Sequence, residues 1–186
     1  MWSFLNAYFS YRKDPVLAIR NLVLERRFGA AFLGYAVAAL CWVCFFWMGS
    51  ALSAWGFVWR FVFFWLLEIS LGYLWAALSG LVLNFFSDNN GPSALFIALG
   101  LSGFVQGLLL CYALVAAAVP DLHSITLLML FVTLVLRFAF AVLNTSRAAQ
   151  ISIKKAVGTL CFVLVPIFVA LVLGLGSLIL LVRLVA

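Results

Sequence analysis

Five stretches of this chain are almost free of polar side chains, and each is long enough to cross a bilayer. They run over about 28–52, 57–84, 93–118, 122–144 and 156–182. A spanning helix needs about 20 mainly apolar residues, so the pattern predicts five transmembrane helices. The segments between them read "GSALSAWG", "SDNNGPS", "PDLHS" and "NTSRAAQISIKK". Their Gly, Pro, Asn and Asp residues favour turns because each offers the backbone an alternative to continued helix.

Residues 1–27 show a different pattern. "MWSFLNAYFSYR" carries Trp2, Phe4, Leu5, Tyr8 and Phe9, then turns basic at Arg12 and Lys13. Asp14-Pro15 is a helix-start signal, with Asp as cap and Pro in the first turn. In "VLAIRNLVLERR" the apolar Val16, Ile19 and Val23 share one stripe, while Arg20 and Arg27 lie nearer the opposite face. This pattern predicts an amphipathic helix lying in the membrane interface, its basic face toward headgroups. The expected layout is therefore an interfacial segment over 1–27 and a five-helix transmembrane domain over 28–186. No short apolar run with a small-residue cleavage site precedes Phe28, so no removable leader is expected.

Composition adds the solvent. Of the 186 residues 68% are hydrophobic and only 9% charged, against about 45–50% and about 25% in soluble domains. Too little polar surface exists to cover a globule in water, so the fold class expected is an all-α integral membrane protein. The net charge of +6 is spread near predicted helix ends. Contact with the bilayer and its anionic headgroups fits that distribution; nucleic-acid binding would need a clustered basic face.

Charge also sets orientation. Arg12, Lys13, Arg20, Arg26 and Arg27 precede the first span, and Arg147, Lys154 and Lys155 come after the fourth. Positive residues gather on the cytoplasmic side. Five spans then place the N-terminus in the cytoplasm and the C-terminus opposite, with a bacterial inner membrane as the expected setting.

The layout resembles a known family. "DPVLAIRNLVLERR" precedes the helices, "SDNNGPSALFIALGLSGF" enters the third, and "LCYALVAAAVPDL" closes it. Together, from about Asp14 to Gly176, these resemble the Yip1-domain family, most of all its short bacterial members. The resemblance implies a five-helix membrane domain with a cytoplasmic N-terminus. With the basic-aromatic N-terminus and the scarcity of polar residues within the spans, the expected role is non-enzymatic, in membrane organisation or trafficking or as a partner of other membrane proteins.

Few residues could carry chemistry. Glu68 stands inside "FFWLLEISLGYLW", where a charge costs about 2.5–3.5 kcal/mol and usually finds a partner facing the bundle. Arg137 is the natural partner, because helices two and four run in the same direction. At 1.5 Å per residue, Glu68 lies about 16 Å into the second predicted span and Arg137 about 22 Å into the fourth, within reach of a long side chain. Tyr73 and Gln106 complete a candidate polar cluster. It reads as an ion pair that fixes helix register, as part of a proton or substrate pathway, or as two residues that do not meet, with Glu68 neutralised by desolvation. The second reading gives the alternative function, a small permease or lipid-translocating protein.

Gly100, Gly103 and Gly107, continued by Cys111, recur at spacings of three and four. Small residues so spaced let helices approach closely, with Gly72 and Gly80 of helix two as expected partners and homo-oligomerisation as the alternative. Cys41 and Cys44 form a CxxC that lacks a second pair or a nearby His, so the four cysteines read as small hydrophobes. The single histidine, His123, sits beside Asp121 without further ligands. Neither a metal, a cofactor nor a catalytic set is expected.

Overall fold

A computed structural model of the chain describes residues 21, 28–47, 53–86, 91–119, 125–167 and 169. Among them the regular structure is entirely helical: α1 (Phe28–Phe46), α2 (Ala54–Phe86), α3 (Pro92–Ser102), a 3-10 turn (Gly103–Gln106), α4 (Gly107–Ala118) and α5 (Thr126–Ala149). A further helix, α6, covers 153–167. Among the described residues four spans are long and apolar enough to cross a membrane, namely α1, α2, the continuous stretch Pro92–Ala118, and α5. They correspond to the first four predicted spans. The interfacial segment, with Arg12, Lys13, Arg20, Arg26 and Arg27, lies outside the described residues, as does most of the fifth predicted span beyond 167.

Local chemistry explains where several helices begin and end. The Ser53 hydroxyl accepts from the Gly56 amide at 3.1 Å, capping α2 three residues before the predicted 57. Gly91 is extended and Pro92 occupies the first turn of α3, where proline's missing N–H has no cost. The fourth span runs to Ala149 and not to 144, because Asn144 and Thr145 are buried against the bundle. Gln150 then turns left-handed at φ 53° and stops the helix. Its amide and that of Ile151 both donate to the Ser146 carbonyl, the latter at 3.0 Å.

The helices are built inside out relative to a soluble bundle. The buried face of α1 is made mainly of small residues, among them Ala31, Gly34, Ala38 and Ala39. On α5 the buried positions include Thr133, Asn144 and Thr145, while Leu127, Phe131 and Val135 face outward. With lipid as solvent no hydrophobic force drives helices together, so close packing and hydrogen bonds do that work.

α3 is central: it packs on α1, α2 and α5, and Ala94–Ser102 are all buried. The larger core joins Ala31 and Tyr35 of α1, Leu83 of α2, Ile97 of α3, Ala141 of α5 and Leu160 of α6. A smaller one at the other end of the bundle joins Cys41, Phe45, Leu109, Tyr112 and Ala116.

The glycine expectation needs correction. Gly100 and Gly103 pack on α1, not on α2. A Cβ at Gly100 would lie 2.8 Å from the Ala31 Cα, and one at Gly103 or Gly34 would overlap the opposing backbone carbonyl. Gly107 meets nothing within 4 Å, and Cys111 is exposed. The 3-10 turn supplies the reason. It advances about 120° per residue where an α-helix advances about 100°, so four such residues rotate α4 by about 80° relative to α3. Gly72 and Gly80 serve other neighbours: Gly72 lies under the Tyr35 ring and Gly80 against Pro92.

Candidate functional site

Glu68 stands near the middle of α2, 14 residues after Ala54 and 18 before Phe86. Arg137 has the same place in α5, 11 residues after Thr126 and 12 before Ala149. Because α2 and α5 both pack on α3, the two side chains meet across it. Arg137 Nη1 donates to Glu68 Oε1 at 3.0 Å and Nη2 to Oε2 at 2.6 Å. This is the two-pronged guanidinium–carboxylate geometry, which adds direction to charge.

A third donor comes from α1. Trp42 Nε1 donates to Glu68 Oε1 at 2.7 Å, and its ring stacks on Phe46 at 5.5 Å. The carboxylate thus ties together three helices, the neighbours α1 and α2 and the distant α5. Glu68 is buried, with 8% of its surface accessible. Charge, hydrogen bonds and burial are consistent: a carboxylate removed from water is held by three N–H donors, two of them from the single guanidinium that balances its charge.

The other two residues of the expected cluster are elsewhere. Tyr73 is five positions beyond Glu68, so its side chain leaves the helix on another face; it is exposed and meets Phe96 edge-on at 6.5 Å. Gln106 sits in the 3-10 turn, fully buried, and neither of its amide atoms has a hydrogen-bond partner among the described residues. Trp42 is the member that sequence reading missed. Seven tryptophans in a membrane protein read as interfacial anchors, and nothing in the spacing marked this one as facing inward.

Beside the ion pair lies a cleft of about 450 Å3. Its walls come from α1, α2, α3, α5 and α6 and are mostly apolar and aromatic, including Trp42, Phe64, Trp75 and Phe138. Glu68 and Arg137 both line it, and the Arg137 side chain keeps 19% of its surface accessible. Tyr35 closes one wall, its hydroxyl donating to the Phe96 carbonyl at 3.1 Å.

Other polar contacts fasten helices to one another. Asn144 Nδ2 donates to the Ala98 carbonyl at 3.2 Å, tying α5 to α3. The Tyr112 and Thr126 hydroxyls share a hydrogen bond of 2.7 Å between α4 and α5. Near the start of α2, the Arg60 guanidinium lies 4.7 Å from the Trp47 ring centre, a cation–π contact that suits a membrane boundary. Arg147, Lys154 and Lys155 stand together in sequence at the α5–α6 junction, with both lysines exposed. Cys41 packs in the smaller core, Cys44 is half-buried, and Cys111 and Cys161 are exposed. Among the described residues no group of His, Cys, Asp and Glu gathers to hold a metal.

Comparisons of the chain with protein-family models, curated proteins and solved structures find no match.

Proposed function

We propose that this chain is a non-enzymatic integral membrane protein of Yip1-like layout. In that reading an interfacial N-terminal helix leads into five spans, the N-terminus is cytoplasmic, and the protein acts on membrane organisation or through partner membrane proteins. The observation that carries it is the threefold pairing of Glu68. Two Arg137 nitrogens and the Trp42 indole occupy the carboxylate, which suits a lock between helices better than a group that must bind and release a proton or ion. The basic residues of 1–27 and of the α5–α6 junction supply the contact with anionic headgroups.

One observation favours the alternative, a small permease or lipid-translocating protein: the cleft reaches the ion pair. Reconstitution separates the two readings. Glu68→Gln in proteoliposomes is expected to lower folded yield and melting temperature, with solute flux and lipid exchange equal to wild type. Loss of a measurable flux at unchanged folded yield would favour the permease reading instead.

A further inference from the structure

Arg137 holds the observation that the architectural reading leaves unused. Both of its bonds to Glu68 come from the terminal nitrogens, one from each. A guanidinium has further N–H donors directed away from such a fork, and among the described residues these meet no acceptor. The side chain is partly accessible, lines the cleft and sits at mid-span. In hydrocarbon no bulk water serves such donors, and each one left unmet is costly.

Three properties of the cleft narrow what could meet them. First, the Glu68–Arg137 pair is neutral as a unit, so a charged ligand would bring an unbalanced charge into a low-dielectric site. Second, an acceptor is needed at mid-membrane depth, where phospholipid tails offer only hydrocarbon because their ester groups stay near the interface. Third, Trp42, Phe64, Trp75 and Phe138 provide ring faces and edges along the walls, suited to stacking on a planar group. The volume of about 450 Å3 falls within the usual range for small-molecule sites, about 300–1,000 Å3.

We propose that this cleft binds an uncharged, membrane-dissolved ring compound bearing carbonyl acceptors, of the quinone class, with Arg137 donating to a ring carbonyl. The ligand enters from the lipid between Leu67 of α2 and Leu134 of α5, both of which line the cleft and are exposed. The site stands independently of any role in membrane organisation, since it needs only the ion pair and the walls around it.

Native mass spectrometry of the full chain released from lipid nanodiscs tests it. Decylubiquinone is the probe, decylbenzene offers the same tail on a ring without carbonyls, and undecanoate offers an anionic acceptor. One decylubiquinone per chain is expected, bound about tenfold more tightly than decylbenzene, the factor that one hydrogen bond to a charged donor supplies. Undecanoate is expected not to bind. Leu67→Trp combined with Leu134→Trp narrows the entrance from lipid-facing positions, so the fold is kept while the adduct is lost. Equal retention of decylbenzene, preference for undecanoate, absence of any adduct, or an adduct unchanged in the Trp variant would each overturn the proposal.

Discussion

At the scale of single residues, Glu68 shows how a carboxylate is kept within an apolar helix. Its cost is offset only while all three donors stay in place, and each can be tested. Trp42→Phe removes the indole N–H but preserves most of the stacking on Phe46. A hydrogen bond to a charged group contributes about 1.5–3 kcal/mol, so thermal unfolding in nanodiscs should show a loss of that size. A variant as stable as wild type would mean that Arg137 alone satisfies the carboxylate. The pairing of Glu68 with Arg137 was legible in the sequence because so few charges lie within apolar runs and their spans are parallel. Trp42 was not, since an indole is equally at home in lipid, at an interface or against a carboxylate. Tyr73 failed for a geometric reason: five residues along a helix is nearly one and a half turns, which points the side chain elsewhere.

The helices themselves were mostly readable from hydrophobic runs, with errors where a tertiary contact outweighed polarity. "NTSRAA" reads as a loop, yet Asn144 bonds to the Ala98 carbonyl and the helix continues to Ala149. The small-residue stripe is visible on α3, but its partner is α1 and not α2. In "FGAAFLGYAVAAL" almost every position is small or apolar, so no contrast singled out Ala31, Gly34 and Ala38 as the contact face. The 3-10 turn left no clear sequence mark, and it removes Gly107 from the stripe.

Substitutions at three positions probe this level. Gly34→Val places a side chain against the Gly100 carbonyl and should cost about 3 kcal/mol by overpacking. Gly107→Ala meets open space and should gain about 0.5–1 kcal/mol from helix propensity. If both variants melted alike, α1 would not be the partner of the stripe. Gln150→Gly relieves the left-handed residue that ends α5, and a gain of about 1 kcal/mol is expected in the same unfolding assay. A loss would mean that the Gln150 side chain matters more than its backbone.

The described residues form a bundle centred on α3, with a larger core at one end and a smaller one at the other. The ion pair and its cleft occupy the level between them, where α2 and α5 are joined through side chains across α3. A ligand in that cleft would touch most of the helices at once, so its binding would be felt as added rigidity of the bundle. The outward faces fit a membrane environment: Trp55, Phe85 and Leu127 each expose more than three quarters of their surface, which suits lipid better than water.

Glu68 and Arg137 act as one unit between α2 and α5. A double-mutant cycle with Glu68→Leu, Arg137→Leu and both together, read out by unfolding in nanodiscs, measures this directly. Each single change should cost about 3–5 kcal/mol because it strands a charge, whereas the double change should lie near wild type, as expected when a buried pair is replaced by apolar groups. Single losses that simply add in the double variant, to within about 0.5 kcal/mol, would contradict it.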